Sequence, residues 1–168
     1  LEDRLGGTRG ERCAFFAFAN TVATRSYVRQ QNGHGWLGIR FQTRPGEQPS
    51  QIELHTNLKG AESLHDQKTL GILGVNFIYA ALYYSDQPEK LLLGLLDGLN
   101  TDKLEIDLIE FSGPIFEHVD NRLMALRLVQ QGLSSTAMFQ SDGKVVQPAE
   151  VLYRKSVLVE RSRFRPPT

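Results

Sequence analysis

Apolar and polar positions change their spacing several times along the chain. Over residues 11–29 the apolar side chains recur at helical spacing, with Phe15 and Val22 on one stripe, which predicts an N-terminal helix. Residues 36–42 and 51–57 instead alternate apolar and polar side chains, as strands with one buried face do. The turn-rich TRPGEQPS lies between them. The first third therefore predicts a helix and then a β-hairpin with a long loop.

The middle of the chain is its most apolar part. Residues 61–84 have the pattern of a helix whose second half is apolar on every side, and the leucine-rich KLLLGLLDGL follows them. Asp86 with Glu89 three residues later is typical of a helix start, and Gly98 is typical of a helix end. We therefore expect two long helices that pack against each other after the hairpin.

The last third alternates between strand and helix patterns. KLEIDLIEFSG predicts a strand, residues 121–132 an amphipathic helix, STAMF a short strand, PAEVLYRK a helical turn and SVLVERS a final strand buried on both faces. Strands that alternate with helices pair in parallel through right-handed crossovers. The expected fold class is therefore α/β: a small, partly parallel sheet with crossover helices, plus the N-terminal helix, the hairpin and the two long packed helices.

Composition narrows the class of protein but not its activity. The 168 residues suit a single domain spanning 1–168, and 40% of them are hydrophobic, enough for a sizeable core. The formal net charge is zero, which argues against strong non-specific attraction to nucleic acid or to an anionic membrane. The most apolar run is too short to span a bilayer, and the lone Cys13 suits a reducing compartment, so the expected location is cytoplasmic.

The stretch IEFSGPIFEHVDNRLM, residues 109–124, has the densest group of chemically active side chains. It starts as a strand and ends as a helix, and in open α/β sheets ligands bind where strands lead into helix N-termini. Such a junction favours a phosphate or a carboxylate, and His118 would be the catalytic, proton-handling group. The expected ligand-binding residues here are Ser112, Gly113, Asp120, Asn121 and Arg122.

These residues also have structural alternatives. Asp120 would cap its helix, Arg122 would pair with Glu117 or Asp120 at the surface, and His118 would be a solvated loop residue. Both interpretations stay open at the level of the sequence.

A basic segment near the C-terminus is a second candidate for ligand binding. Arg154 and Lys155 belong to LYRKSVLVERSRFRP, and arginine can grip phosphate through two hydrogen bonds, so both residues join the expected ligand-binding set. A solvated flank is the alternative. Nucleic acid is disfavoured, because few aromatic side chains interleave with the charges. The four histidines lie in separate elements without a second cysteine, so no metal site is expected and the cofactor stays unknown.

Several phrases of the chain occur together in a known protein family. DRLGGTRGERCAF, HGWLGIRFQ, GILGVNFIYAA, FSGPIFEHVDNRLM and LYRKSVLVERSRFRP resemble the N-terminal region of a bacterial family of larger soluble proteins labelled nicotinate-nucleotide adenylyltransferase or TonB-dependent receptor. The resemblance covers essentially the whole chain, and it implies an N-terminal fragment of a longer protein with another domain after RFRP. The adenylyltransferase label is compatible with an α/β unit, but the chain lacks the HxGH motif. No catalytic residue is therefore carried over from the family.

Two functional hypotheses from different classes follow. The first is an α/β domain that binds a nucleotide-like or other phosphorylated small molecule at residues 111–122, as part of a nucleotidyl- or phosphate-group transferase completed by the missing C-terminal domain. The second is a non-catalytic scaffold or dimerisation domain, whose leucine-rich helices 61–99 present the surface for a homodimer. The sequence leaves the choice between enzyme and non-enzyme open.

Overall fold

The computed structural model describes residues 13–22, 33–59 and 63–159. Within those ranges the strands are β1 (Phe15–Val22), β2 (His34–Phe41), β3 (Ser50–Leu58), β4 (Leu104–Ser112), β5 (Met138–Phe139) and β6 (Val145–Val146). The helices are α1 (Ser63–Tyr83), α2 (Pro88–Gly94), α3 (Asn121–Gln130) and α4 (Pro148–Leu152), and a short 3-10 turn, Pro114–Phe116, precedes α3.

The main sheet is antiparallel throughout. Its order is β1-β2-β3-β4, and β5 pairs with β6 in a separate antiparallel hairpin. The predicted partly parallel sheet with crossover helices is therefore wrong, and the fold is an α+β arrangement. Leu104 begins β4 opposite Leu58, the last residue of β3, because α1 and α2 return the chain to the end at which it left the sheet. A strand that starts there runs antiparallel to β3.

The segment predicted as an N-terminal helix contains a strand instead. β1 pairs with β2 along its whole length, while residues 11–12 and 23–29 of the predicted helix lie outside the described residues. The apolar side chains of FFAFANTV do recur at helical spacing, but the run is rich in aromatic and β-branched residues, which favour strands. Hydrogen bonds to the edge of β2 decide between the two patterns.

Several other predicted elements are confirmed. The hairpin corresponds to β2 and β3, the long apolar helix to α1, the amphipathic helix to α3, and the last helical turn to α4. The second long helix is shorter than expected, since α2 has seven residues. The predicted final strand is wrong in its described part, because residues 156–159 form no strand and Leu158 is 98% exposed.

Helices α1, α2 and α3 bury the core against one face of the sheet. Ile39 of β2 and Leu54 of β3 share this core with Leu73 and Phe77 of α1. Each such fully buried apolar side chain contributes about 1.5–3 kcal/mol to folding. Among the described helices, none is long and apolar enough to cross a membrane.

Candidate functional site

The sheet face turned away from the core carries most of the polar side chains of the strands. We call it the outer face: β2 contributes His34, Trp36 and Arg40 to it, and β3 contributes His55 and Asn57. These positions alternate with core positions, because successive side chains of a strand point to opposite faces. His55 is nevertheless only 1% exposed. Something on the outer face therefore covers it.

A bulge in β4 brings two residues opposite His55. The β3–β4 register shifts between His55, which faces Leu108, and Thr56, which faces Ile106, so Asp107 is an extra residue in β4. Asp107 and Leu108 consequently both face the outer side. Oδ1 of Asp107 lies 2.6 Å from Nδ1 of His55, and less than a tenth of either side chain is exposed.

Three N–H donors converge on the carboxylate of Asp107. His55 donates to Oδ1, while the amide of Asn57 donates to Oδ2 over 2.7 Å and that of Gln147 over 3.3 Å. The Gln147 amide nitrogen also lies 2.9 Å from Nδ1 of His55, so it covers the imidazole from the segment before α4. A buried carboxylate without such donors costs several kcal/mol, and here both of its oxygens are satisfied.

The second nitrogen of His55 extends the arrangement toward solvent. Nε2 of His55 lies 3.2 Å from Nδ1 of His34, and the ring of Trp36 packs against His55 with the centroids 4.8 Å apart. His34 is half-buried, in contrast to His55. We name Asp107, His55 and His34 the histidine chain. It runs from a buried carboxylate to a partly exposed imidazole.

The Asp107 carboxylate determines which nitrogen of the neutral His55 ring carries the proton. A carboxylate only accepts, so Nδ1 of His55 carries the proton that is donated to Asp107. Nε2 of His55 is then an acceptor, and two nitrogens are within donor distance of it: Nδ1 of His34 at 3.2 Å and the Gln147 amide nitrogen at 3.3 Å. In the tautomer of His34 that donates through Nδ1, Nε2 of His34 is the basic nitrogen that remains outside the chain. The arrangement therefore positions His34 to take up a proton.

The surroundings of His34 favour its neutral form. Burial lowers the pKa of His34 below its ordinary value of 6.5 and the neighbouring His55 lowers it further, while Asp107 and Glu150 act in the opposite direction. A histidine with such a pKa is mostly deprotonated near pH 7, and this is the form that accepts a proton.

The segment after α3 carries Gln147 to the outer face. Its start is fixed at the edge of β4, where the amide of Ile106 donates to the carbonyl of Leu133 over 2.8 Å. Ser135 then donates to Glu105 from its hydroxyl (2.6 Å) and from its backbone N–H (2.7 Å). Burial raises the pKa of Glu105, but these hydrogen bonds and a lysine ion pair outweigh it and lower the pKa. Glu105 thus anchors the segment as a carboxylate.

Several side chains of the ligand site predicted at the strand–helix junction have structural roles. Asp120 caps α3, accepting from the N–H of Arg122 over 2.9 Å and from its guanidinium over 3.0 and 2.7 Å. The hydrogen bonds from Arg122 lower the pKa of Asp120 to about 2. Asn121 accepts from the N–H of Phe111 and donates to its carbonyl, at 2.8 and 3.0 Å. The charge of Arg122 is therefore paired within the protein itself.

The turn before α3 depends on a close backbone approach. Gly113 has φ 94°, and a Cβ at this position would lie 2.6 Å from Cα of Ser50, so the site requires glycine. The hydroxyl of Ser50 accepts from the N–H of Ile115 over 3.2 Å, which closes the turn against β3. Ser112 is exposed at the end of β4, and His118 is exposed between the 3-10 turn and α3.

A depression does lie at this junction, but its charges are mixed. Three carboxylates line it, those of Glu110, Asp120 and Asp142, together with the cations of Arg122 and Lys144. Since one of the two cations is already paired, the electrostatics do not favour an anion here. The role of this junction in ligand binding stays a prediction.

The two basic residues predicted near the C-terminus follow α4. Arg154 has φ 53°, its guanidinium lies 5.1 Å from the ring centroid of Tyr153, and Lys155 is exposed. Neither residue lines the junction depression. Residues 160–168, the rest of the basic segment, lie outside the described residues.

The sequence patterns do not reveal the histidine chain. Glu105 and Asp107 have the spacing of exposed carboxylates on one strand face, and the histidines look isolated. The one available signal is the pair His55 and Asn57, which share a face of the predicted strand 51–57. Their partner on β4 depends on strand pairing across 52 residues of chain.

In the described part of the chain, no group of three or more His, Cys, Asp or Glu side chains is arranged to hold a metal ion. Comparison of the chain with protein-family models, with curated proteins and with solved structures found no match. The functional assignment therefore rests on the geometry of the residues themselves.

Proposed function

We propose that this domain is an enzyme that uses His34 to move a proton to or from a small-molecule substrate. The observation that carries the proposal is the histidine chain, which links a buried carboxylate through His55 to a partly exposed imidazole. In enzymes with an Asp–His pair, the carboxylate holds the imidazole in one tautomer and stabilises the charged ring that forms during the reaction. Here a second imidazole extends the pair toward the surface.

The proposed step is a simple proton transfer. Nε2 of His34 takes a proton from an acidic O–H, N–H or C–H bond, and the electron pair of that bond stays on the substrate atom. The proton on Nδ1 of His34 is shared with Nε2 of His55, so positive charge spreads toward the Asp107 carboxylate. His34 is then the catalytic residue, and His55 and Asp107 are positioning residues.

Chemical modification by diethyl pyrocarbonate tests this without a known substrate. The reagent attacks neutral imidazole, and mass spectrometry distinguishes His34 from the exposed His118, which serves as internal reference. We expect Asp107→Asn to slow modification of His34 relative to His118 at a pH at which both rings are neutral, because loss of the carboxylate charge lowers the basicity of the histidine chain. Glu110→Gln is the matched control, since Glu110 lies on the same strand but faces a different residue of β3 than His55.

An unchanged modification ratio in a folded Asp107→Asn variant would contradict the proposal. Nitrogen NMR separates a catalytic from a purely structural role. We expect the Nδ1–H tautomer at His34 and His55 in the wild-type protein and a mixture of tautomers in Asp107→Asn. A structural role alone predicts a lower unfolding temperature with the tautomer of His34 unchanged.

The ligand class expected from the sequence becomes part of the proposal. A nucleotide-like or phosphorylated small molecule is the first class to screen, and in phosphate-group transfer His34 would deprotonate the attacking hydroxyl.

Because a single cysteine suits a reducing compartment, we also propose a cytoplasmic location. Fractionation of cells that produce the protein checks the location.

A second candidate function is dimerisation through α1 and α2. The observation that favours it is a group of apolar side chains on these two helices, Val75, Tyr79 and Leu93, which are 69%, 51% and 63% exposed. All three line one depression between the helices. Such a patch is typical of a surface that binds another protein chain.

A further inference from the structure

We infer that the outer face beside the histidine chain binds a planar ring, and that Phe16, Phe18 and Trp36 form the platform on which this ring stacks. The inference rests on the proposed function, because it names the substrate class of the same site. That class is a flat ring with an attached anionic group, as in a mononucleotide.

Strand pairing brings the platform together. Phe18 faces Gly38 and Phe16 faces Arg40 across β1 and β2, and directly opposed residues share one face of a sheet. Trp36 lies two residues before Gly38 on the same face. The rings of Phe16 and Phe18 have centroids 6.2 Å apart, and these side chains are 62% and 37% exposed. Exposed aromatic rings in a row are a surface suited to stacking.

Gly38 makes room for the platform. A Cβ at this position would lie 2.1 Å from Cε1 of Phe18, so the Phe18 ring occupies the space that a side chain at position 38 would fill. A glycine inside a strand often marks such a close approach. The ring of Phe18 is thereby held against β2, with its exposed part available to a ligand.

Spacing along β2 sets the orientation of the ligand. Arg40 lies two residues from Gly38, about 7 Å along the strand, and His34 lies four residues away in the other direction, about 13 Å. In the proposed complex the ring stacks on Phe18, its phosphate points to Arg40, and its opposite edge lies on the side of Trp36 and His34. The phosphate is then far from His34, so this complex supports proton transfer at the ring and not the phosphate-group transfer considered for the ligand class above.

Charge on the outer face favours a small ligand over a nucleic acid. Arg40 is the cation that the described residues of β1 and β2 contribute, whereas β3 and β4 add the carboxylates of Glu53, Glu105, Asp107 and Glu110. A polyanion would be repelled by these carboxylates, while a single phosphate needs one arginine.

Fluorescence of Trp36 tests the platform, because it is the only tryptophan of the 168-residue chain. With the full chain and AMP as the probe, we expect saturable quenching. Phe18→Leu and Gly38→Ala should each weaken AMP binding about tenfold, since both disturb the stacking surface. Arg40→Gln should weaken binding of AMP while leaving that of adenosine unchanged.

Two matched controls accompany these variants. Phe139→Leu removes an exposed aromatic ring on β5, and Gly74→Ala adds a Cβ in α1 whose nearest neighbour is 3.6 Å away. Both should bind AMP as the wild-type protein does.

The platform is overturned if AMP does not quench Trp36 saturably, or if Phe18→Leu binds AMP as tightly as the wild-type protein. Tighter binding of a single-stranded oligonucleotide, falling steeply with salt, overturns the small-molecule class. Modification of His34 is measured without any nucleotide. The two proposals can therefore fail separately. If AMP does not bind but Asp107→Asn still slows modification of His34, the platform is ruled out and the proton-transfer proposal stands.

Discussion

His55 is the residue on which the proposed site depends. It is almost fully buried, and its two ring nitrogens contact Asp107 on one side and His34 on the other. Removing the imidazole would leave the carboxylate of Asp107 buried with fewer donors, which costs several kcal/mol. A His55 variant would therefore lose stability and the proposed chemistry together, and Asp107→Asn is the more informative change.

His34 should make the stability of the domain depend on pH. Because its pKa is below 6.5 in the folded protein, the unfolded chain takes up this proton at a higher pH than the folded protein does. The contribution of His34 to folding stability is therefore present above pH 6.5. It is lost as the pH falls from 6.5 through the pKa of His34 in the folded protein. Among the described residues, the titratable groups that act on the pKa of His34 are His55, which lowers it, and Asp107 and Glu150, which raise it.

The measurement compares urea unfolding of the wild-type protein with that of His34→Gln. We expect the difference in unfolding free energy, wild type minus variant, to rise between about pH 5 and pH 7. A difference that is constant or falls over this range would contradict the assignment.

At the scale of elements, the parts of the chain that follow β4 cover its free edge. Asn121 binds both backbone groups of Phe111, and the carbonyl of Leu133 accepts from Ile106. Uncovered edges tend to pair with other chains, so this cover protects the sheet. The junction marked by the sequence as polar thus ends the sheet and starts α3.

Replacing Asn121 tests the role of this cover. Asn121→Ala should destabilise the domain by about 1–3 kcal/mol, because the N–H and carbonyl of Phe111 lose their partner. Urea unfolding measures the loss, and hydrogen exchange should show a faster-exchanging Phe111 amide. Arg122→Ala is the control, since Arg122 takes part in an exposed ion pair and its loss should change stability little. Equal losses in both variants would show that Asn121 has no special role.

Elements with a single clear period can be predicted from this sequence. The hairpin and α1 follow from their own patterns, whereas the apolar side chains of β1 fit both periods and only β2 selects the strand. The strand order cannot be predicted from this sequence for a similar reason. The direction of β4 depends on the α1–α2 reversal, which local patterns do not encode.

The candidate site is less predictable than the fold. Sequence identifies the polar side chains but not their neighbours, and His55 meets Asp107 only through the pairing of β3 with β4. The bulge at Asp107 also returns Ile109 and Phe111 to the core and leaves Leu108 on the outer face. A regular alternation predicts Leu108 in the core instead.

At the scale of the whole molecule, the proposed dimer uses α2 and the turn that follows it. Lys90, Leu93 and Asp97 are spaced three and four residues apart along α2 and the turn after it. When two copies meet about a twofold axis with their α2 helices antiparallel, each Lys90 faces an Asp97 and the Leu93 side chains meet at the centre. The charges of the two copies then balance.

Sedimentation velocity tests this dimer. We expect the wild-type protein to be dimeric at micromolar concentration and Leu93→Glu to be monomeric, because the two introduced carboxylates would meet at the axis in place of an apolar contact. Leu126→Glu is the matched control, since Leu126 is also exposed but lies on α3. A monomeric wild-type protein, or equal dissociation by both variants, would rule out α2 as the interface.

The strand order determines when the site forms during folding. Strands β1, β2 and β3 pair with their neighbours in the chain, but β4 joins β3 only after the whole of α1 and α2 has intervened. Contacts between distant parts of a chain form late, because closing a long loop costs entropy before any contact compensates for it. During synthesis and folding, His55 therefore receives its carboxylate last. An incomplete chain that stops before β4 has the platform strands and His34 but lacks the carboxylate that positions His55.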